Sequence, residues 1–334
     1  MTRIVDPSFG VQLRELRAAR GLSLRELGLA AYVSKSQISE YETGRRRPSA
    51  EMAGYLDQAL EADGALSALV VESHTDDDAT NRIAHALAAP TSVDAETVES
   101  LGRMLEQQRH LDDTLPAPML LPTVEGHLEM VQALARNARG PHASALRLVA
   151  TEWCQFAGWM NGQVRHDTRG SKLLTDAARD ALDLGAPDLA SQSYNFRGYI
   201  ERRKGNARGI VRWFMTAYET PGASDLHRVD AAVQAVHGFG LLGDHKGAQN
   251  LLAMADDLST SVGERSGNVS TRYYWLTPAW LRLPIGLAHL GLGNYSLAAD
   301  SLRAGLDQLP ESWRKAEWSA EYRNALTRAE TAVA

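Results

Sequence analysis

Residues 21–49, GLSLRELGLAAYVSKSQISEYETGRRRPS, contain two helix start signals only eleven residues apart. Ser23 is a favoured N-cap residue, and Glu26 three positions later completes the pattern of a capping box. Ser34 is a second N-cap, so another helix must begin almost as soon as the first one ends. The stretch 31–33 between them has room only for a fixed turn, which sets two short helices at a steep angle.

The two predicted helices differ in what they present to solvent. In the first, Leu24, Leu27 and Ala30 are expected to face the core. In the second, Ile38 and Tyr41 are expected to face inward. The polar side chains of the second helix then remain outside; these are Lys35, Ser36, Gln37, Ser39 and Glu40. A short helix with so many exposed hydrogen-bonding groups is suited to the major groove of DNA.

A basic loop follows the second helix. Its three arginines are Arg45, Arg46 and Arg47. They lie between Gly44, which is expected to end the helix in a left-handed conformation, and Pro48. Three guanidinium groups held beside such a helix are expected to bind backbone phosphates, which position a domain without reading sequence. Ser23 and Arg25 are further phosphate candidates, because a helix N-terminus presents free amide groups.

The charge of the chain is divided unevenly. Residues 1–50 contain nine basic and five acidic side chains, a net charge of +4, whereas the whole chain carries −6, which leaves −10 for the remainder. A basic head on an acidic body is the asymmetry expected when one end meets phosphate. Taken alone, this asymmetry is a weak indicator of function.

Residues 9–70 are similar to the Xre family of regulators, which carry a phage-repressor-like helix-turn-helix domain. The resemblance rests on the leucine pattern together with Ile38, Tyr41-Glu42, Gly44 and the basic run before Pro48. It implies an all-α, five-helix, lambda-repressor-like domain that binds double-stranded DNA.

The resemblance also assigns roles to side chains. It implies base contacts by Lys35, Ser36 and Glu40, and phosphate or sugar contacts by Gln37 and Ser39. Lysine binds guanine acceptors and glutamate accepts from cytosine, although Glu40 could equally serve to reject wrong sequences.

The resemblance further implies that Arg17 pairs with Glu42. Two positions depart from the family pattern: Tyr32 stands where the family often has Gly, and Leu24 where it often has Gln. The tyrosine is tolerable if it avoids a positive φ.

The first domain is expected to end at residue 71. The acidic stretch 72–80, ESHTDDDAT, is predicted to be a solvated linker, and 81–334 a second domain. From about residue 81 the apolar residues recur with helical spacing, and no alternation long enough for a sheet is present. The fold class predicted for the whole chain is therefore all-α.

Three segments of the second domain share a pattern of helix, tight Gly turn and helix. Their turn glycines are Gly205, Gly243 and Gly293, and the small residues expected at close helix contacts are Ala207, Ala248 and Ala298. The segments resemble tetratricopeptide repeats, which implies an α-solenoid of helix pairs. A generic helical bundle is the alternative interpretation.

All seven tryptophans lie after residue 150, where they could line a ligand groove or fill gaps between helices. The architecture resembles regulators in which a repeat domain binds a short signalling peptide. This resemblance implies a peptide or small ligand, with candidate contacts at Asn195, Arg197, Tyr199 and Arg202. Because a lone helix-turn-helix head buries limited surface, a homodimer held by the repeat domain is also predicted, which reads a palindrome with half-sites about one helical turn apart.

Other classes of protein are less well supported. The sequence contains no HExxH, no Gly-rich phosphate loop and no GxSxG, so neither an enzyme nor a cofactor or metal site is expected. The single cysteine, Cys154, is expected to be a small buried hydrophobe. Without a bilayer-length apolar run or a secretory signal, no membrane association is expected and the protein is predicted to be cytoplasmic. A repeat-mediated interaction scaffold with weak DNA tethering is the remaining alternative.

Overall fold

The computed structural model describes residues 2–6, 8–62, 64–73, 82–87, 93–265 and 273–333. The chain divides into two compact units, Met1–His85 and Ala86–Ala334. The predicted linker covered 72–80, and of it Glu72 and Ser73 lie in a strand, while residues 74–80 lie outside the described residues.

In the first unit, the described residues up to Ser73 form four α-helices, which are α1 (Phe9–Ala19), α2 (Leu24–Ala30), α3 (Lys35–Glu42) and α4 (Ala50–Leu60). The fifth helical segment is a single 3-10 turn at Ser67–Leu69. The Asp57 carboxylate holds this turn by accepting hydrogen bonds from the Leu66 amide at 2.9 Å and the Ser67 amide at 2.8 Å.

Both predicted start signals form capping boxes. The Ser23 hydroxyl accepts from the Glu26 amide at 3.3 Å, and the Glu26 carboxylate accepts from the Ser23 amide at 2.7 Å. Ser34 and Gln37 make the equivalent reciprocal pair, each bond measuring 3.2 Å. Because each helix start is fixed by its own sequence, the two helices keep the short connection between them.

The core of the first unit lies where these helices meet. Leu27, Ile38 and Tyr41 are buried as predicted, and Leu24 is half-buried. The prediction for Ala30 was wrong: Ala30 is exposed, and Ala31 beyond the end of α2 is buried instead. Ala31 lies four residues after Leu27 and donates its amide to the Leu27 carbonyl at 2.9 Å, so it continues the buried face of α2.

A short sheet, absent from the sequence prediction, closes the first unit. Strand β1 (Thr2–Val5) pairs antiparallel with β2 (Val70–Ser73), with Thr2 opposite Ser73 and Val5 opposite Val70. The innermost pair, Val5 and Val70, joins residues 65 positions apart in the chain. The predicted all-α class is confirmed, with these two four-residue strands as the exception.

The described residues of the second unit are mainly helical. A short helix α5, residues 82–87, spans the division between the two units. It is followed by α6 (Ala95–Asp112), α7 (Ala117–Asn137), α8 (Ala143–Gln163), α9 (Asp167–Asp183), α10 (Pro187–Arg203), α11 (Ala207–Tyr218), α12 (Asp225–Leu241), α13 (His245–Arg265), α14 (Pro278–Gly291), α15 (Tyr295–Gln308), α16 (Glu311–Lys315) and α17 (Ala320–Val333).

These helices pack as successive pairs. Each of α8, α10, α12 and α14 contacts the helix that follows it, and these four also contact one another in sequence, with α6 and α17 at the two ends of the series. We call α6, α8, α10, α12, α14 and α17 the inner series. This neighbour-to-neighbour packing is that of a helical repeat.

The structure adds a fourth copy to the three turns recognised in the sequence. Gly205, Gly243 and Gly293 have φ values of +70°, +77° and +76°, and Arg165 takes the same conformation, at +69°, between α8 and α9. Of the small residues expected at close helix contacts, Ala248 and Ala298 are fully buried and Ala207 is half-buried at the start of α11.

Two further sequence expectations concern single features. Cys154 is buried in α8, and burial raises the pKa of its thiol to about 12, which leaves it protonated near neutral pH. Within the described part of the chain, no helix is both long and apolar enough to cross a bilayer.

Tyr32 occupies the conformation that the sequence expectation required it to avoid. Its φ is +58°, and its side chain is 87% exposed. The ring meets that of Tyr55 edge to face, with 6.4 Å between centroids. A side chain with a Cβ in this region costs about 1–2 kcal/mol, so the turn carries a backbone cost that Gly would not.

We therefore expect Tyr32→Gly to be more stable than Tyr32→Ala by about 1 kcal/mol, because both lose the ring and only Gly relieves the backbone. Hydrogen exchange of the α2 and α3 amides in the intact chain should be about fivefold slower in the Gly variant. Leu29, exposed within α2, is the control, and there Ala should exceed Gly by about 0.5–1 kcal/mol. The same order at both positions would contradict the strain assigned to Tyr32.

Candidate nucleic-acid interface

Helix α3 presents one polar side to solvent. Lys35 and Ser36 at its start are exposed, and Gln37, Ser39 and Glu40 are half-buried. On the opposite side, Ile38 is fully buried and Tyr41 is 5% exposed. The helix is therefore held by its apolar side, and the side chains expected to contact bases point away from the core.

The end of α3 is fixed by an ion pair with α1. Arg17 donates from Nε to Glu42 Oε1 at 2.6 Å and from Nη2 to Glu42 Oε2 at 3.1 Å. The same guanidinium donates from Nη1 to the Leu22 carbonyl at 2.8 Å. The hydrogen bond to Glu42 raises the pKa of Arg17, which stays charged. A two-bond pair of this kind fixes direction as well as distance.

Two further contacts hold α1 against α3. Arg14 donates from Nε to Glu42 Oε2 at 3.4 Å. Gly10 lies so close to α3 that a Cβ there would come within 2.7 Å of the Glu42 carbonyl oxygen. The Glu42 side chain is only 5% exposed, so its carboxylate depends on these arginines for compensation.

The arginine loop lies directly beside α3. Gly44 has a φ of +70°, as the predicted helix stop requires, and Arg45, Arg46 and Arg47 are exposed. Arg46 also reaches back to α3: Nη1 lies 3.8 Å from Glu40 Oε2, and its amide donates to the Glu40 carbonyl at 3.2 Å. Glu40 and Arg46, expected to contact a base and a phosphate respectively, are thus neighbours in the folded chain.

The remaining phosphate candidates differ in whether a donor group is available to bind a phosphate. Arg25 is exposed at the start of α2. The Ser23 amide is already bonded to Glu26, and these bonds, chiefly that from the backbone amide, lower the pKa of Glu26. The charged Glu26 carboxylate therefore occupies the place of an incoming phosphate, which counts against Ser23. Gln37 uses its Oε1 in the second capping box, which leaves its amide nitrogen available to donate.

The four ligand candidates of the second unit do not all meet. Tyr199 and Arg202 line a cavity on the inner series together with Asn195. Arg197 lies elsewhere, since its guanidinium stacks 4.0 Å above the Trp213 ring and donates to the Ser171 carbonyl at 3.0 Å. Helical spacing could have separated Arg197 from the other three, because Asn195, Tyr199 and Arg202 recur at i, i+4 and i+7 on one face of α10 and Arg197 does not.

Three features of these sites were not identified from the sequence. Arg14 joins the Glu42 pair, Glu40 pairs with Arg46, and Gln37 completes the second capping box. The Ser-x-x-Gln spacing is the only one of the three with a sequence signal. Among the described residues, no group of three or more His, Cys, Asp or Glu side chains is placed to hold a metal.

Comparison with known proteins identifies a helix-turn-helix domain in the first unit. Residues 8–70 match a helix-turn-helix domain family. No curated protein matches the chain. Among solved structures, the chain is similar to the crystal structure of Bacillus thuringiensis PlcR in complex with the peptide PapR7 and DNA, at 11% identity and a TM-score of 0.39, covering 98% of this chain and 99% of that chain. That score is too low to carry an argument about this protein.

The ion pair can be tested by removing one partner. We expect Arg17→Met to lower the free energy of unfolding of the first unit by about 2–3 kcal/mol, because the Glu42 carboxylate loses two charge-assisted hydrogen bonds. Adding Glu42→Met should restore part of that loss, since it removes the uncompensated charge.

Hydrogen exchange of the α1 and α3 amides in the intact chain measures both effects. Arg14→Met is the matched control: its side chain is 59% exposed, so the cost should stay below about 1 kcal/mol. If Arg17→Met costs no more than Arg14→Met, the pair does not hold the helix.

Proposed function

We propose that the protein is a sequence-specific DNA-binding transcriptional regulator. The observation that carries this proposal is the arrangement of α3, whose apolar side is buried, whose end is fixed to α1 by Arg17 and Glu42, and whose polar side faces solvent. The match of residues 8–70 to a helix-turn-helix domain family supports the same conclusion. An exposed polar helix on a rigid support is the geometry that major-groove readers use.

Base reading is assigned to Lys35, Ser36 and Glu40. Lys35 and Ser36 occupy the first turn of α3, the part of a recognition helix that goes deepest into the groove. Glu40 lies one turn further on, beside Arg46. On binding, Arg46 exchanges Glu40 for a phosphate, which leaves the Glu40 carboxylate either to accept from a cytosine amino group or to repel other bases.

Phosphate binding is assigned to Arg25 and the arginine loop, with Gln37 and Ser39 as secondary contacts. The loop arginines are exposed and begin three residues after the end of α3. They therefore reach the DNA backbone at the edge of the groove that α3 enters. Each phosphate they neutralise steepens the dependence of log affinity on log salt by about 0.9.

The DNA-binding form is proposed to be a homodimer held by the repeat unit, bound to a palindrome. One helix-turn-helix head buries limited surface, and a second head related by symmetry doubles the contacts. The repeat unit is further proposed to sense a peptide or small ligand on its inner series, where Asn195, Tyr199 and Arg202 line a cavity. Such a ligand changes DNA affinity only through different affinity for two states of the dimer.

A repeat-mediated interaction scaffold remains the second candidate, because successive helix pairs suit protein binding. The two functions separate in one experiment, the selection of bound DNA from random oligonucleotides by the full chain. A regulator enriches one palindromic sequence, whereas a scaffold with weak tethering enriches none.

Different variants should affect base reading and phosphate binding separately. We expect Lys35→Ala combined with Glu40→Ala to abolish the enriched sequence while leaving salt-dependent binding in place. Arg46→Ala should retain the sequence preference and reduce the salt slope by about 0.9 for each bound head, hence by about 1.8 for a dimer.

Filter or anisotropy titrations at several salt concentrations measure the slope. Arg208→Ala, exposed in α11 of the second unit, is the control and should leave the slope unchanged. An unchanged preference in the Lys35 and Glu40 variant would contradict the base assignment, and an unchanged slope for Arg46→Ala would contradict the phosphate assignment.

Glu40 alone can be tested against random DNA. Because Glu40→Ala removes a like charge from the groove and releases Arg46, affinity for random-sequence DNA should rise by up to about fivefold. Affinity for the selected sequence should rise less or fall, so that discrimination narrows. Titration of both DNAs at one salt concentration measures the ratio, and a loss of affinity for random DNA would show that Glu40 plays no repulsive role.

A further inference from the structure

A cavity of about 90 Å³ lies on the inner series of the second unit. Helices α6, α8, α10 and α17 and the chain just before α14 all contribute to its lining. The cavity is smaller than the roughly 150 Å³ space that holds a benzene molecule in an engineered protein interior. It therefore fits a short unbranched group better than a ring.

Two aromatic walls enclose this cavity. On one side, Trp159 packs against Phe196 and Tyr199, with ring centroids 4.6 Å and 4.8 Å away. On the other side, Tyr274 packs edge to face on Trp275 at 5.3 Å. Aromatic faces carry negative partial charge and attract cations, above all where water is excluded.

Two adjacent carboxylates join the walls. Asp112 accepts from Trp159 Nε1 and from Gln163 Nε2, both at 2.8 Å, and Asp113 accepts from the Tyr274 hydroxyl at 2.6 Å. They stand at the C-terminal end of α6, where the helix dipole already disfavours negative charge. Burial raises the pKa of Asp112 to about 6, and the neighbouring Asp113 charge acts in the same direction.

The arginines that line the cavity already form ion pairs with glutamates. Arg202 pairs with Glu321 at 2.7 Å, and Arg109 lies 3.5 Å from Glu152. The half-exposed His110 lies 3.8 Å from Asp113. An incoming anion would meet excess negative charge, whereas a cation would complete the site.

A buried acceptor also faces the cavity. Gln192 on α10 is 1% exposed and lines the cavity, and its Oε1 has no hydrogen-bond partner in the described part of the chain. Buried amide oxygens are nearly always bonded. An unpaired oxygen on a side chain that lines the cavity can accept from a donor that enters it.

From the aromatic walls, the paired carboxylates and the open Gln192 oxygen, we propose that this cavity binds a short alkylammonium group. The proposal rests on the sensor role assigned to the repeat unit above and names its ligand chemistry. The ammonium donates to Asp112, Asp113 and Gln192, and its alkyl chain lies between the aromatic walls. A free amine and a lysine side chain of a peptide share this chemistry.

The test uses three probes of equal length with the full chain. Four tryptophans line the cavity and report binding by fluorescence: Trp159, Trp275, Trp280 and Trp318. We expect n-butylammonium to give a saturable change, and n-butanol and butyrate to bind at least tenfold more weakly. Equal binding of n-butanol would make the cavity merely apolar, and tighter binding of butyrate or saturation by none of the probes would equally overturn the proposal.

Variants separate a binding role from a structural one. Asp112→Asn and Asp113→Asn keep side-chain size and should each weaken n-butylammonium at least fivefold, whereas Asp176→Asn, on α9 away from the cavity, should not. Gln192→Met should leave the unfolding temperature unchanged or higher, because the oxygen it removes has no partner, and should still weaken n-butylammonium. Unchanged affinity in all three cavity variants would overturn the proposal.

Two further measurements distinguish a free amine from a lysine side chain as the ligand, and a failure of the amine site from a failure of the proposed function. N-acetyl-lysine N-methylamide that binds more tightly than n-butylammonium assigns the group to a peptide side chain, and weaker binding assigns it to a free amine; either result supports the site. DNA selection is run in parallel. Sequence-specific DNA binding without amine binding overturns this inference alone, whereas amine binding without sequence preference overturns the regulator and leaves the site standing.

Discussion

The buried carboxylate of Glu42 sets the conditions for the rest of the DNA-binding unit. A charge that is only 5% exposed must be compensated where it stands, and Arg17 does so with two hydrogen bonds while a third ties it to the Leu22 carbonyl. The pair therefore joins α1, the chain before α2 and the end of α3 through one guanidinium. With its end fixed and Ile38 buried, α3 has only one side left to present, the side that carries Lys35 and Ser36.

Much of this unit could be predicted from local sequence, because its determinants are local. Ser23 and Ser34 cap the helices they were expected to cap, and Gly44 turns the chain where expected. Strand pairing between Thr2 and Ser73 could not be read in the same way, because it depends on segments that meet only after the helices have packed. The prediction for Ala30 was wrong for a different reason: Leu24, Leu27 and Ala31 follow the i, i+3, i+7 spacing of a helix, so the helix period itself places Ala31 in the core.

Left-handed residues mark the clearest limit of sequence reasoning. Glycine announces such a position, whereas Tyr32 and Arg165 adopt it without that signal. The sequence therefore does not reveal the strained backbone at Tyr32 in the helix-turn-helix turn. Nor does it reveal the fourth helix pair, whose turn at Arg165 has the same conformation as those at Gly205 and Gly243. At the ligand candidates, three of the four residues reach one cavity, but the aspartates at the end of α6 lie about eighty residues earlier in the chain and could not be joined to them by spacing.

The proposed DNA-binding function depends on whether α3 enters the major groove. Methylation protection measures this directly, because dimethyl sulfate attacks guanine N7, an acceptor that lysine binds in that groove. With the full chain on its selected DNA, we predict protection of guanine N7 in two patches about 10 base pairs apart, lost in Lys35→Ala. Full reactivity at every guanine in the bound complex, or protection that is independent of Lys35, would contradict it.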